Sequence, residues 1–309
     1  MDNVAGYDVS SGTIKLRAPA KVNLTLHVLR RRADGYHELL TRMQKLDLSD
    51  EITLVARNQP GISLTCRANG VPEDESNLAW KAAAAFLKEM STTNRYGVDI
   101  GLVKKIPVAA GLGGGSSDAG TILKGLNILF KAGYSEQQLV EMAKPLGADV
   151  PFFATDYNAV VATGIGEKMT AVESLAGCRL ILINPGFFVS AGWAYENYTL
   201  TRAGKTFKKI CFQKTIDKAF QCSDLHNDLE DVTVKHYPII AEIKNELRDA
   251  GATGVLMSGS GPTVFGIFCN SGRIGGYELD GLAAGLRSRY GDNVFVTSVN
   301  GKTDVSLLK

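Results

Sequence analysis

No apolar run in this 309-residue chain reaches the roughly 20 residues that a membrane-crossing helix needs, and Met1 to Gly12 lack the basic-then-apolar order of a secretory leader. A cytoplasmic protein is the expectation. Charge of one sign is equally scarce: 34 Lys and Arg stand against 32 Asp and Glu, a net +2. Binding to a phosphate backbone normally shows as a clustered basic stripe, so a nucleic-acid partner is not expected. Arg30-Arg31-Arg32 is the one dense basic triplet, and it reads either as a solvated hairpin tip or as a rim that attracts an anion. Cysteine is sparse and odd in number. Cys66, Cys178, Cys211, Cys222 and Cys269 form no C-x-x-C pair and no zinc pattern, so reduced, mostly buried thiols are expected. Repeats and low-complexity tracts are missing too, which excludes solenoids and disordered arrays.

What is present is an ordinary globular composition, 45% hydrophobic and 21% charged. Its length exceeds the size at which one core stops growing, so two packed domains, divided as 1–175 and 176–309, are the default expectation and one large domain the alternative. Alternation rich in β-branched residues predicts strands over Thr13–Val28, Ile52–Val55 and Ile62–Cys66. Ser76 is a candidate N-cap for a helix through Leu87, and Val98–Val103 alternates again. Ala119, Ile122, Leu123, Leu126, Leu129 and Phe130 recur at helical spacing on one face. Ser135 and Gln138 form a capping-box pattern for a further helix that leads toward Asp149. In the second half, strands are predicted at Leu180–Ile183, Val264–Phe268 and Val294–Val299, with helices near 238–250 and 279–290. The basic stretch from Thr199 to Lys218 reads as irregular and mobile. This order predicts an α+β fold with antiparallel sheets.

The strongest chemical signal runs from Pro107 to Asp118, Pro-Val-Ala-Ala-Gly-Leu-Gly-Gly-Gly-Ser-Ser-Asp, between a strand and a helix expected to begin near Ser117. Glycines let a backbone approach a ligand and aim successive N–H groups at it, and the helix start adds its positive dipole end. A phosphate cradle is the reading, against a merely flexible turn. The spacing is neither that of the P-loop nor that of a dinucleotide fold. Lys21 and Asn23 in Pro19-Ala20-Lys21-Val22-Asn23-Leu24 share one strand face, which taken alone is more often a solvated face than a site. Tyr36-His37 after Asp34-Gly35 is, alone, as compatible with packing as with recognition. A solitary Asp149 between apolar neighbours reads as a cap, and Met257 to Thr263 is a second Gly/Ser turn able to wrap a phosphate.

In this order, the Lys21 motif, Gly111 to Ser117 and Ser258-Gly259-Ser260-Gly261-Pro262 resemble the three motifs of the GHMP kinase superfamily. Ala33–Leu39, Leu146–Phe153 and Gly164–Glu167 resemble its branch that acts on 4-diphosphocytidyl-2-C-methyl-D-erythritol in non-mevalonate isoprenoid biosynthesis. The likeness runs from about Lys15 to about Phe268. The resemblance implies an α+β, two-domain fold, with a ribosomal-protein-S5-like N-terminal domain, a ferredoxin-like C-terminal domain and the active site between them. It implies ATP and Mg2+ as cofactors, a small cytidine diphosphate acceptor phosphorylated on its 2-hydroxyl, and a monomer or homodimer. By motif position, Asp149 is the general base with Lys21 beside it, Asn23 orients the acceptor, and Tyr36 and His37 hold cytosine. Asn77 and Lys104 fall where the family meets the adenine nucleotide. Pro107, Ala109, Ala110, Gly111, Leu112, Gly113, Gly114, Gly115, Ser116 and Ser117 would hold the ATP phosphates, with Ser117 a candidate magnesium ligand. Many relatives carry glycine at Ala109 and Ala110 and threonine at Ala191. Two alternatives remain open: a GHMP kinase for homoserine, mevalonate or a sugar, against which Tyr36-His37 argues, and a non-catalytic ATP- or RNA-binding protein on the same fold, which would need neither Lys21 nor Asp149.

Overall fold

The computed structural model describes residues 12–68, 70–90, 95–175, 177–198, 216, 219–269, 276–299 and 305–307. The expected mobile stretch lies almost wholly outside these residues, as does Cys211. Two long strands, β1 (Thr13–Arg31) and β2 (His37–Arg57), pair antiparallel along nearly their full length and form the spine of the molecule. The basic triplet ends β1 and opens the turn between them. Arg30 and Arg32 pair with Glu38 and Arg32 also grips Asp34 at the hairpin tip, while Arg31 lines a large cavity, so the triplet is both hairpin tip and cavity rim. Ile52 to Val55, expected as a separate strand, is the far end of β2.

Around this spine, β3 (Gly61–Arg67) and β4 (Gly97–Val103) extend one side, while β5 (Ala159–Gly164) and β6 (Lys168–Ala171) continue β2 on the other. Helices α1 (Leu78–Glu89), α2 (Gly114–Leu129) and α3 (Glu136–Ala143) cover one face. The helical stripe read from sequence is buried there, with Ile122, Leu123 and Leu126 packed on Ile14, Leu16 and Leu54. Ser135 and Gln138 form the expected capping box. Two boundaries differ. Asn77, not Ser76, caps α1, because the Ser76 hydroxyl is turned to Asp74. Helix α2 begins at Gly114, three residues earlier than expected, because a left-handed Gly113 lets the chain turn into the helix there.

The second half builds an antiparallel sheet in the order β11 (Val294–Ser298), β7 (Cys178–Ile183), β10 (Val264–Cys269), β9 (Gly254–Met257). Its apolar face packs on α6 (Ile239–Asp249) and α7 (Gly276–Tyr290). The antiparallel expectation needs correction at two pairs: β3 runs parallel to β4, and β8 (His226–Asn227) runs parallel to β1. Strands β8 and β12 (Val305–Leu307) come from the second half yet hydrogen-bond to β1, so the two halves share a sheet. The thiol expectation also needs correction. Cys178 and Cys269 face each other on β7 and β10 and form a disulfide, a pairing across 91 residues that spacing could not reveal. Cys66 and Cys222 are free and half-buried. Among the described residues, no helix is long and apolar enough to cross a membrane.

Candidate active site

Irregular register in β1 creates the first part of the site. Shifts between Pro19 and Lys21 and between Asn23 and Thr25 loosen its ladder with β2, freeing backbone groups for other partners. Lys21 N–H donates to the Leu112 carbonyl at 2.9 Å, and Asn23 N–H to the Ser258 hydroxyl at 3.3 Å. The side chains then form a relay. Lys21 Nζ donates to Asn23 Oδ1 at 2.5 Å, Asn23 Nδ2 to Thr41 Oγ1 at 2.9 Å, and Thr41 to the Thr25 carbonyl. The shared face of Lys21 and Asn23 is buried, not solvated.

Asp149 is at the N-cap position of the short helix α4 (Val150–Ala154) but caps nothing with its side chain. Asp149 has a helical backbone, φ −89° and ψ −15°, where a capping residue is normally extended, and Pro151 at the second helical position offers no N–H. Its carboxylate instead faces a cavity, 31% exposed, with Oδ2 3.4 Å from the Lys21 ammonium. The capping reading of a solitary Asp149 is therefore corrected.

The glycine loop lies on the other wall. Gly111 and Gly113 are left-handed, at φ +77° and +71°, and Ala109 adopts φ +51° without being glycine. A Cβ at Gly111 would stand 2.1 Å from the Ser258 carbonyl oxygen. Ser258 Oγ donates to the Gly111 carbonyl at 2.8 Å, so one hydroxyl ties all three motifs together. Pro107, Ala109, Ala110, Gly111, Gly113, Gly114, Gly115 and Ser116 line a recess of about 290 Å³ with Asn77, Lys104 and Asp118. Leu112 packs into the core, and Ser117 is fully buried with its hydroxyl donated to the Pro19 carbonyl. Asn77 caps α1 and donates its amide to the Pro72 carbonyl. Lys104 is held between Asp50 and Asp118. Burial raises the Asp118 carboxyl well above the usual range although Lys104 opposes this. Lys104 keeps its charge because the two carboxylates outweigh its own burial.

Between these walls is a cavity of about 900 Å³, reached by Lys21, Asn23, Asp149 and Ser116 and continuous with the loop at Gly111 and Gly113. Its far end is aromatic. His37 stacks on Tyr195 with ring centroids 5.3 Å apart, and Tyr36 stands 61% exposed at the rim. Burial, then Arg31, lowers the His37 pKa, while burial and the nearby Asp149 raise that of the Tyr195 phenol. Tyr195 was not singled out from the sequence. It lies on α5 (Ala191–Asn197), whose Ser190 cap after Asn184-Pro185-Gly186 was the signal that could have found it. Ala191 lines the cavity with a methyl group and no hydroxyl.

Among the described residues, one group of His, Cys and carboxylate side chains lies within common reach of an ion: His27, His226 and Asp228. The two rings stack 4.4 Å apart and nearly parallel, and His226 bonds Asp228 at 2.7 Å. It is the joint between β1 and β8.

Residues 77–156 match the model of the GHMP kinase N-terminal domain and residues 211–274 that of the C-terminal domain. A protein of Desulfotalea psychrophila named 4-diphosphocytidyl-2-C-methyl-D-erythritol kinase is 48% identical over 91% of this chain and 94% of its own length. A Geobacter sulfurreducens protein of the same name is 49% identical over 82% and 90%. A crystal structure of 4-(cytidine 5'-diphospho)-2C-methyl-D-erythritol kinase superposes with a TM-score of 0.74 at 32% identity, covering 93% of this chain and 99% of that one. A homoserine kinase from Cytophaga hutchinsonii reaches the same TM-score at 17% identity, a likeness of fold alone. With the three motifs joined through Ser258 and near-complete matches on both sides, the chain belongs to the GHMP kinases and, within them, to the 4-diphosphocytidyl-2-C-methyl-D-erythritol kinase family.

Proposed function

We propose that the protein transfers the γ-phosphoryl group of ATP to the 2-hydroxyl of 4-diphosphocytidyl-2-C-methyl-D-erythritol, a step of non-mevalonate isoprenoid biosynthesis. The observation that carries this reading is the Lys21–Asp149 contact at 3.4 Å, in a cavity that joins the glycine loop at one end and the His37–Tyr195 stack at the other. Asp149 takes the proton of the acceptor hydroxyl as its oxygen forms a bond to the γ-phosphorus and the bond to ADP breaks. Lys21 steadies that carboxylate and meets the charge spread over the phosphoryl oxygens. Asn23, held by Lys21 and Thr41, orients the acceptor. Tyr36 and His37 hold cytosine, a flat ring with polar edges that a neutral imidazole can meet as both donor and acceptor. The backbone of the glycine loop and the start of α2 hold the triphosphate. Asn77 and Lys104 act on the nucleotide side by shaping the recess, since both side chains are already hydrogen-bonded within the protein.

Magnesium usually binds through phosphate oxygens and a few protein oxygens and neutralises charge on the transferring group. Ser116, whose residue lines both cavities, fits as its protein ligand better than Ser117, which is fully buried and lines neither. The near-neutral net charge favours small molecules over nucleic acid as partners. The proposal extends to a cytoplasmic protein, a monomer or homodimer of chains with two domains, 1–175 and 176–309.

A coupled ADP-release assay tests the reading. Turnover is expected with the diphosphocytidyl alcohol and not with homoserine or mevalonate. A positioned base contributes roughly 10²- to 10⁴-fold in rate, so Asp149→Asn should lower kcat by that range while ATP still binds. Near-normal kcat in this variant would leave positioning and electrostatics as the whole mechanism.

A further inference from the structure

Lys45 is among the largest fully buried side chains, 1% exposed, and none of the proposed chemistry uses it. In the β1–β2 ladder it is the direct partner of Lys21. Residues directly opposite on antiparallel strands project to the same face, so both lysines leave the sheet side by side. Helix α4 lies across them. At its N-terminal end Lys21 reaches Asp149, and at its C-terminal end Lys45 Nζ donates to the Thr155 carbonyl at 2.8 Å. A cation at a helix C-terminus is favourably placed, and this one also lies 4.8 Å and 5.9 Å from the ring centres of Phe152 and Phe153.

The neighbourhood converts that grip into position. A Cβ at Gly113, the left-handed residue before α2, would stand 3.0 Å from Lys21 Cγ and 3.1 Å from Phe153 Cζ. At Gly120 a Cβ would stand 2.6 Å from that of Phe153, so α2 rests directly on α4. A shift of α4 along the sheet therefore moves Asp149 relative to both Lys21 and the glycine loop. Packing alone does not call for a lysine here. No carboxylate of a described residue lies within ion-pair distance of Lys45, and burial, then Lys124, lowers its pKa to about 7, so holding its charge here costs free energy that a methionine of similar length avoids. The charged groups around it are Lys124 on α2, Asp156 after α4 and Glu136 on α3. Lys124 shares the Thr155 carbonyl at 3.5 Å and pairs with Asp156.

We propose that Lys45 is a positioning residue for the phosphoryl-transfer site: by holding α4 at its last carbonyl and under its two aromatic rings, it sets Asp149 against Lys21 and the acceptor hydroxyl. The inference rests on the reading of Asp149 as the base.

The test is Lys45→Met, read by steady-state kinetics, by calorimetric ATP affinity and by thermal unfolding. A displacement of about 1 Å in a reacting group can cost on the order of 100-fold, so kcat should fall about 10- to 100-fold with ATP affinity unchanged within about twofold. Tm should stay level or rise, because a desolvated charge is replaced by an apolar side chain. That opposition of rate and stability is what a purely structural lysine would not produce. In an Asp149→Asn background, the same change should alter kcat by less than about twofold, since its effect passes through Asp149. If Lys45→Met yields too little folded protein, Lys45→Arg keeps the cation but crowds the Thr155 carbonyl and should give the same split between kcat and ATP affinity. Wild-type kcat in the folded variant, or a rate loss that tracks a fall in Tm, overturns the proposal. Full kcat in Asp149→Asn overturns instead the reading on which it rests.

Discussion

At the scale of single residues, the site depends on backbone conformations more than on side-chain identity. Ala109 opens the glycine loop at φ +51°, where an L-residue brings its Cβ too close to the neighbouring carbonyl at a cost of roughly 1–2 kcal/mol. Glycine removes that strain but loses roughly 0.5–1 kcal/mol through its greater freedom in the unfolded chain. Ala109→Gly is thus expected to stabilise the protein slightly, by up to about 1 kcal/mol in urea unfolding. A clear loss of stability would show that the methyl group has a packing role which outweighs the strain. Asp149 illustrates the same dependence. Its helical backbone and the missing N–H of Pro151 deny it the usual capping geometry, and the carboxylate faces Lys21.

Between elements, the decisive joint is the turn between β9 and β10. Ser258 accepts from Asn23 N–H and donates to the Gly111 carbonyl, while Asn227 at the end of β8 donates to the Met257 and Gly259 carbonyls at 2.8 Å and 2.7 Å. Both glycine-rich turns are therefore held from below by side chains and free to present backbone above. Ser258→Ala removes two hydrogen bonds and leaves buried groups unpaired, a loss of about 1–3 kcal/mol. Urea unfolding should show that loss, and KM for ATP should rise more than KM for the acceptor, because Gly111 belongs to the loop proposed to hold the ATP phosphates. Equal change in both constants would mean that the turn supports the cavity as a whole. The sequence showed both turns and their glycines. It did not show that they touch, since Gly111 and Ser258 are 147 residues apart.

For the whole molecule, the halves are interlocked. Strands β8 and β12 complete the sheet begun by β1, and Leu26, Val28 and Leu39 of the first hairpin are buried against Val189, Ala194 and Leu229 of the second half. A fragment of residues 1–175 would expose that apolar cluster and an unpaired edge of β1, so it is expected to aggregate or to lack near-ultraviolet dichroism when expressed alone. A monomeric fragment with a cooperative unfolding transition would show that the N-terminal half is an autonomous domain. Local physics in the sequence was sufficient for the helices with one apolar face, the β-branched strands, the capping box at Ser135 and the glycine loop. These features repeat within a few residues, so their pattern is visible in a short window. The order of the three motifs likewise pointed to the kinase family before any contact was known. Tertiary structure alone decided that Lys21 meets Asp149, that Lys45 braces the same helix from its other end, that Tyr195 stacks on His37 and that Cys178 pairs with Cys269. Each of these joins residues distant along the chain. Such pairs are chosen by strand register and by which faces the packed core leaves free, and neither quantity is a property of any one segment.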